Sequence, residues 1–80
     1  GEEKKAIEYY EQALVIDREI GDIRGEGTDL WNMSLAQERL GRREEAINNA
    51  RAALEIYERI DDPNAEMVRE QLDEWGGGKG

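Results

Sequence analysis

The fold is decided by a stretch that occurs twice, as KAIEYYEQALVIDREIGD at residues 5–22 and as EAINNARAALEIYERIDD at residues 45–62. The two copies are offset by 40 positions. The pairs of positions that hold the same residue are Ala6 and Ala46, Ile7 and Ile47, Ala13 and Ala53, Leu14 and Leu54, Ile16 and Ile56, Ile20 and Ile60, and Asp22 and Asp62. A fixed period of roughly 20 to 50 residues is typical of stacked repeat units. The sequence therefore predicts a repeat array.

Within each copy, apolar residues recur at steps of three and four, which is the spacing of an amphipathic helix. The segment between the copies mixes large and very small side chains along one stripe, which suits helices that pack closely. The residues of that stripe are Ile23, Gly27, Leu30, Trp31, Ser34 and Leu35. Val and Thr are scarce while Ala, Leu, Ile, Glu and Arg dominate, so intrinsic preference is also helical.

Glycine, aspartate and proline mark where these helices end and begin. Gly21 and Gly41 are placed to close a helix in the left-handed conformation. Asp22 and Asp62 are good N-cap residues, and Pro63 suits a first helical turn. We therefore predict an all-α fold of antiparallel helical hairpins, because the connectors are short. Its four helices are expected at residues 3–20, 23–40, 43–60 and 63–75.

The charge balance narrows the class of partner. The chain has 20 acidic and 11 basic residues and a formal net charge of −9. Such a surface repels nucleic acid and anionic membranes, so a neutral or basic protein partner is expected. The chain contains no cysteine, and we find neither a membrane-spanning apolar run nor a signal peptide. We predict a cytoplasmic protein, since a reducing compartment is compatible with this composition.

The inventory of reactive side chains predicts no enzyme. The chain has no His and no Cys, and Ser34 has no base to activate it, so it is expected to serve close packing. The Asp61–Asp62 pair is expected to cap a helix, because Pro63 starts a helix where a cation loop would continue. Gly21, Gly25 and Gly27 lack the strand and the Lys-Ser/Thr pair of a phosphate loop. We predict no catalytic site, no metal and no cofactor.

Together these residues resemble a tetratricopeptide repeat array of the branch with repeats of about 40 residues. Leu40-Gly41 matches the turn of the repeat, and Ala46, Ala50 and Ala53 occupy the three positions of the second-helix pattern, which is Ala, aromatic and Ala. Gln37 and Ala50 depart from it, because they stand where aromatic residues are typical. The resemblance covers about residues 3–75.

The resemblance also implies how the chain is divided. A repeat domain at 1–75 would contain a partial repeat at 3–20, a full repeat at 23–60 and a capping helix at 63–75, followed by a flexible glycine-rich tail at 76–80. We expect a C-terminal piece of a longer array. Its first helix would then have lost a partner, leaving Ile7, Tyr10 and Leu14 partly uncovered. An apolar edge of this kind favours self-association into a homo-oligomer.

In the family, side chains of the first helix of each repeat line a concave groove that holds a peptide or a helix. The matching positions are Thr28, Trp31, Asn32, Leu35, Arg39, Val68, Gln71 and Trp75. Asn32 would bond the backbone of a ligand, or would simply be an exposed polar residue. The two tryptophans would be ligand anchors, or would pack between successive helices. Arg39 would pair with a carboxylate of the partner or with a local acid.

Two functions remain open at this point. The leading one is a protein–protein interaction scaffold, in the form of a peptide- or helix-binding module of a larger protein. The alternative is a structural segment that terminates an array and self-associates through its N-terminal helix.

Overall fold

The structure is a computed structural model that describes residues 1–76. This range contains four α-helices and no strand: α1 (Glu2–Ile20), α2 (Ile23–Arg39), α3 (Arg43–Arg59) and α4 (Asn64–Trp75). The predicted all-α fold and its four helices are confirmed, with each end within one residue of its predicted position. The predicted tail beyond Gly76 lies outside the described residues.

The turns form as their residues suggest. Gly21 and Gly41 have φ of 73° and 80°, in the left-handed region that glycine adopts without strain. The Asp22 carboxylate accepts a hydrogen bond of 2.9 Å from the backbone N–H of Gly25 and so caps α2. The Asp62 carboxylate accepts a hydrogen bond of 2.8 Å from the Asn64 N–H in the turn before α4. The N-cap of α4 is Pro63, so the predicted N-cap at Asp62 is one residue early. These short connections hold consecutive helices antiparallel.

Each helix packs against its neighbours in the sequence, with α2 between α1 and α3, and with α4 on α3. α2 and α3 approach each other closely at Gly27, where an added Cβ would lie 3.0 Å from Cγ2 of Ile56 and 3.2 Å from Cε1 of Tyr57. Ala46, Ala50 and Ala53 on α3 are completely buried. Small residues on both helices therefore set the α2–α3 distance, as the mixed pattern predicted.

The prediction that α1 exposes an apolar edge at Ile7, Tyr10 and Leu14 is wrong. Ile7 and Leu14 are buried, and Tyr10 is half-buried, because this side of α1 packs directly onto α2. The large apolar side chains that α1 does expose lie on its other side and include Tyr9, Ile16 and Ile20. Spacing alone did not reveal which of the two apolar stripes of α1 faces its neighbour.

Candidate interaction surface

One side of α2 forms an accessible strip, here called the α2 strip, that consists of Thr28, Asn32, Leu35 and Arg39. These residues are spaced by four, three and four, so they lie along one face of the helix. Thr28, Asn32 and Leu35 are partly exposed and Arg39 is exposed. The opposite side of α2 is committed to packing on α1 and α3. The strip therefore contains the predicted contact residues of α2, apart from Trp31.

Both ends of the α2 strip are tied to other helices. The Thr28 hydroxyl hydrogen-bonds the Tyr57 hydroxyl of α3 over 2.9 Å. Burial is the main reason that the pKa of Tyr57 is raised, so this phenol stays neutral. At the other end, Arg39 Nη1 lies 3.6 Å from Glu3 Oε1 of α1. Arg39 therefore pairs with a local acid, Glu3, although an exposed ion pair of this kind contributes little stability.

Asn32 lies at the centre of the strip with its amide unengaged. Among residues 1–76, no side chain or backbone group hydrogen-bonds that amide, and the residue is partly exposed. An amide carries both donors and an acceptor, so it can satisfy the N–H and the C=O of an incoming backbone. Its geometry is that of an available polar contact point on a rigid helix.

The two tryptophans pack against each other. The ring centroids of Trp31 on α2 and Trp75 on α4 are 6.2 Å apart, with the planes inclined by 31°. Trp31 is only 8% exposed, whereas Trp75 is partly exposed. The guanidinium carbon of Arg43 lies 6.0 Å from the Trp75 ring centroid, within the range of a cation–π contact. Trp31 therefore packs between helices, and only Trp75 keeps an accessible edge.

On α4, the structure corrects one predicted contact residue. Val68 is fully buried, because the stripe it shares with Leu72 packs onto α3, so it cannot line a binding surface. Gln71 is partly exposed and lies four residues before Trp75, on the same side of α4. The α4 contribution is therefore limited to Gln71 and Trp75.

Ser34 and Asp62, which were weighed as a nucleophile and a cation ligand, both form hydrogen bonds within the chain. Ser34 is completely buried, and its hydroxyl donates a 2.6 Å hydrogen bond to the Trp31 carbonyl. Asp62 accepts from Asn64 and lies 2.7 Å from Nε of Arg24. The hydrogen bond from Asn64 and then that from Arg24 lower the pKa of Asp62. Within residues 1–76, no group of three or more carboxylates is arranged to hold a metal ion.

The sequence did not predict a cluster of three acids, Asp17, Asp22 and Asp29. Asp17 of α1 and Asp22 of the turn both lie against Gly25, where an added Cβ would be 3.1 Å from Asp17 Oδ1 and 2.3 Å from Asp22 Oδ2. Asp29 of α2 hydrogen-bonds Asp17. Burial, then this bond, then the charges of Asp17 and Asp22 raise the pKa of Asp29 to about 7. A signal was present, because Asp29 precedes buried Met33 by four positions and so lies on an inward face.

Comparison with known proteins identifies one family. A family model described as tetratricopeptide repeat matches residues 1–59. No curated protein and no solved structure matches the chain. Over residues 1–76, none of the helices combines the length and the apolar character that a membrane span requires.

Proposed function

From the premise that the chain belongs to the tetratricopeptide repeat family, whose repeats generally mediate protein–protein interaction, we propose that it binds a peptide or a helix of a protein partner. The binding surface is the α2 strip together with Gln71 and Trp75 of α4. No step of this function is catalytic, in keeping with the family's role as an interaction repeat.

The observation that carries this proposal is the unengaged amide of Asn32 in the middle of a strip that is otherwise held in place. Thr28 is fixed through Tyr57, and Leu35 offers an apolar contact three residues beyond Asn32. A surface that is already rigid loses little conformational entropy when it binds. A polar contact beside an apolar one on such a surface favours an extended or helical segment as ligand.

The charge of the chain favours a basic or neutral partner. The formal charge of −9 attracts a basic segment over long distances and raises its association rate. Of the acids that contact or adjoin the strip in sequence, Glu3 pairs with Arg39 and Glu38 pairs with Arg43. The same charge disfavours nucleic acid and anionic membranes as partners, and a cytoplasmic setting remains part of the proposal.

We also propose a division of the helices into repeat units. α1 acts as the second helix of one repeat, α2 and α3 as a full repeat, and α4 as a capping helix. The exposed residues Glu70, Asp73 and Glu74 support the last assignment, because they make the outer face of α4 polar.

The test is a titration with a pool of basic amphipathic peptides, followed by tryptophan fluorescence. Trp75 is the reporter, because it is partly exposed and its ring contacts that of Trp31 on α2. Asn32→Ala is expected to weaken binding about tenfold, since a hydrogen-bonding group in a contact surface is worth about 1 kcal/mol or more. The matched control is Asn48→Ala, at an exposed site on α3 away from the strip.

Circular dichroism shows whether both variants keep the helicity of the parent chain. Equal affinity of Asn32→Ala and Asn48→Ala, with helicity unchanged, contradicts the proposal. So does the absence of any fluorescence response to the peptide pool at high concentration.

A further inference from the structure

The outer side of α1 carries large apolar side chains that the fold leaves in solvent. Tyr9 is 66% exposed, Ile16 56% and Ile20 70%. Their spacing of seven and four places them on one face of the helix, here called the α1 outer stripe. The stripe runs for about 17 Å, at the helical rise of about 1.5 Å per residue. Contiguous exposed apolar surface of this kind marks an interaction site more often than scattered apolar residues do.

The internal repeat shows what the equivalent stripe on α3 contacts. At an offset of 40, Tyr9 corresponds to Asn49 and Ile16 corresponds to Ile56. On α3, both equivalents contact α2: Asn49 Nδ2 donates to Gln37 Oε1 over 2.8 Å, and Ile56 lies against Gly27. Ile56 is consequently 8% exposed, against 56% for Ile16. The α1 outer stripe is therefore equivalent to a surface that packs against an antiparallel helix.

Among the described residues, α1 of a second molecule matches the α1 outer stripe better than α4 does. The exposed side of α4 carries Glu70, Asp73 and Glu74, and its exposed large apolar residue is Met67. A carboxylate-rich face cannot replace the small and apolar side chains that α2 presents to α3. The exposed apolar residues of residues 1–76 are instead concentrated on α1 itself.

The sequence of α1 is self-complementary when two copies run antiparallel. With the midpoint between Gln12 and Ala13, Tyr9 lies opposite Ile16 of the second copy. Lys5 then lies opposite Ile20 of the second copy and next to its Glu19, so that opposite charges meet at both ends of the contact. The small side chain of Ala13 at the centre permits a close approach of the helices. We propose that two copies of this chain pair through their α1 outer stripes, antiparallel about a two-fold axis.

The pairing is a low-affinity one. A contact along a single helix is smaller than a standard interface of about 1,600 Å², so association falls roughly in the micromolar to millimolar range. Each copy also carries a charge of −9, and added salt strengthens the pairing because it screens the repulsion between copies. The α2 strip is on a different helix, so peptide binding and α1 pairing succeed or fail independently.

Sedimentation equilibrium of the full chain, up to about 1 mM to cover the range expected for a weak interface, is the first test. Ile16→Glu is expected to weaken dimerisation at least tenfold, because it puts a charge into the paired stripe. Val15→Glu is the matched control: the neighbouring residue is 57% exposed, lies off the stripe and introduces the same charge. Circular dichroism verifies that both variants keep their helices.

The second test addresses orientation. Lys5→Glu and Glu19→Lys each place like charges together at both ends of the antiparallel pair, and each is expected to weaken it. The double variant with both substitutions restores opposite charges and is expected to recover the parent affinity. A monomer at every concentration, species larger than a dimer, equal losses in Ile16→Glu and Val15→Glu, or no recovery in the double variant would each overturn the proposal.

Discussion

The side chains of Asp29 of α2 and Asp17 of α1 meet at the α1–α2 interface, where a hydrogen bond between them favours the protonated form of Asp29. The Oδ2 atom of Asp17 is buried and has no hydrogen-bond partner. The Asp22 carboxylate lies against the same side of Gly25 as Asp17 and adds a further negative charge. Two helices are therefore held together at a place where full ionisation of the acids is unfavourable.

The first prediction is that this cluster makes the protein less stable as the pH rises. Burial and the neighbouring acids raise the pKa of Asp29 from its ordinary 3.8 to about 7 in the folded chain. Between those values the folded state binds more protons than the unfolded state, so the stabilisation is present below about pH 4 and is lost as the pH passes 7. Urea unfolding from pH 5 to pH 8 should show the free energy of unfolding falling with pH.

Removal of the acid tests the assignment to Asp29. Asp29→Asn keeps a hydrogen-bonding side chain without the charge, so it should raise the free energy of unfolding at pH 8 by on the order of 1–2 kcal/mol. It should also flatten the pH dependence. Asp73→Asn at an exposed site controls for the general relief of negative charge. The same pH slope in both variants would assign the effect to overall charge instead.

The second prediction concerns the close approach at Gly27. A Cβ there would lie 3.0 Å from Ile56 Cγ2 and 3.2 Å from the Tyr57 ring, closer than such contacts normally come. Alanine has the better helix propensity by about 1 kcal/mol. We nevertheless expect Gly27→Ala to destabilise the protein by about 1 kcal/mol or more, because overpacking forces the α2–α3 pair apart.

A double-mutant cycle separates these two effects. Ile56→Ala removes the crowded methyl group, so the combination Gly27→Ala with Ile56→Ala should cost less than the sum of the single changes. Urea denaturation gives the four free energies. Strict additivity, or a Gly27→Ala variant that is more stable than the parent, would show that the contact relaxes without strain.

The third prediction follows from the burial of Ser34. Its hydroxyl bonds only the carbonyl of Trp31, one turn earlier in the same helix. Ser34→Ala should change stability by less than about 1 kcal/mol, because the buried hydroxyl and its bond are removed together. Ser34→Leu should cost at least about 2 kcal/mol, because the site is completely buried and has no room for a larger side chain. Thermal unfolding of the two variants measures the difference.

The sequence predicted the helices well because their signals are local. Gly21, Gly41 and Asp22 act on the backbone within a few residues, so their effects can be read without knowledge of the fold. The family pattern likewise picked out Ala46 and Ala53, which are completely buried. The repeat offset did not predict exposure, because Ile16 is 56% exposed and its equivalent Ile56 only 8%.

Which side of a helix packs against its neighbour was harder to predict from the sequence. α1 has two apolar stripes, and only the packing on α2 shows that Ile7 faces inward while Ile16 faces outward. Val68 was assigned to a binding surface by its position in the repeat, but the stripe it shares with Leu72 is buried in the core. The raised pKa of Asp29 depends on its meeting Asp17 of another helix, which no local pattern specifies.

The last prediction concerns the contact between Trp31 and Trp75, which ties the end of α4 to α2. Removal of one ring takes away an aromatic pair worth about 0.5–1.5 kcal/mol in addition to the apolar area that it buries. Trp75→Ala should therefore destabilise the protein by about 2 kcal/mol, whereas Trp75→Phe retains an aromatic partner and should lose less.

The spectroscopic consequence is specific to the pair. Two indoles with centroids 6.2 Å apart give a coupled near-ultraviolet circular dichroism signal, which must disappear in Trp75→Ala and in Trp31→Phe alike. Val68→Ala is the informative control, because it weakens the packing of α4 on α3 without touching either ring. If Trp75→Ala leaves both the coupled signal and the free energy of unfolding unchanged, α4 is held by α3 alone. The contact of Trp75 with Trp31 on α2 would then contribute nothing to the stability of α4.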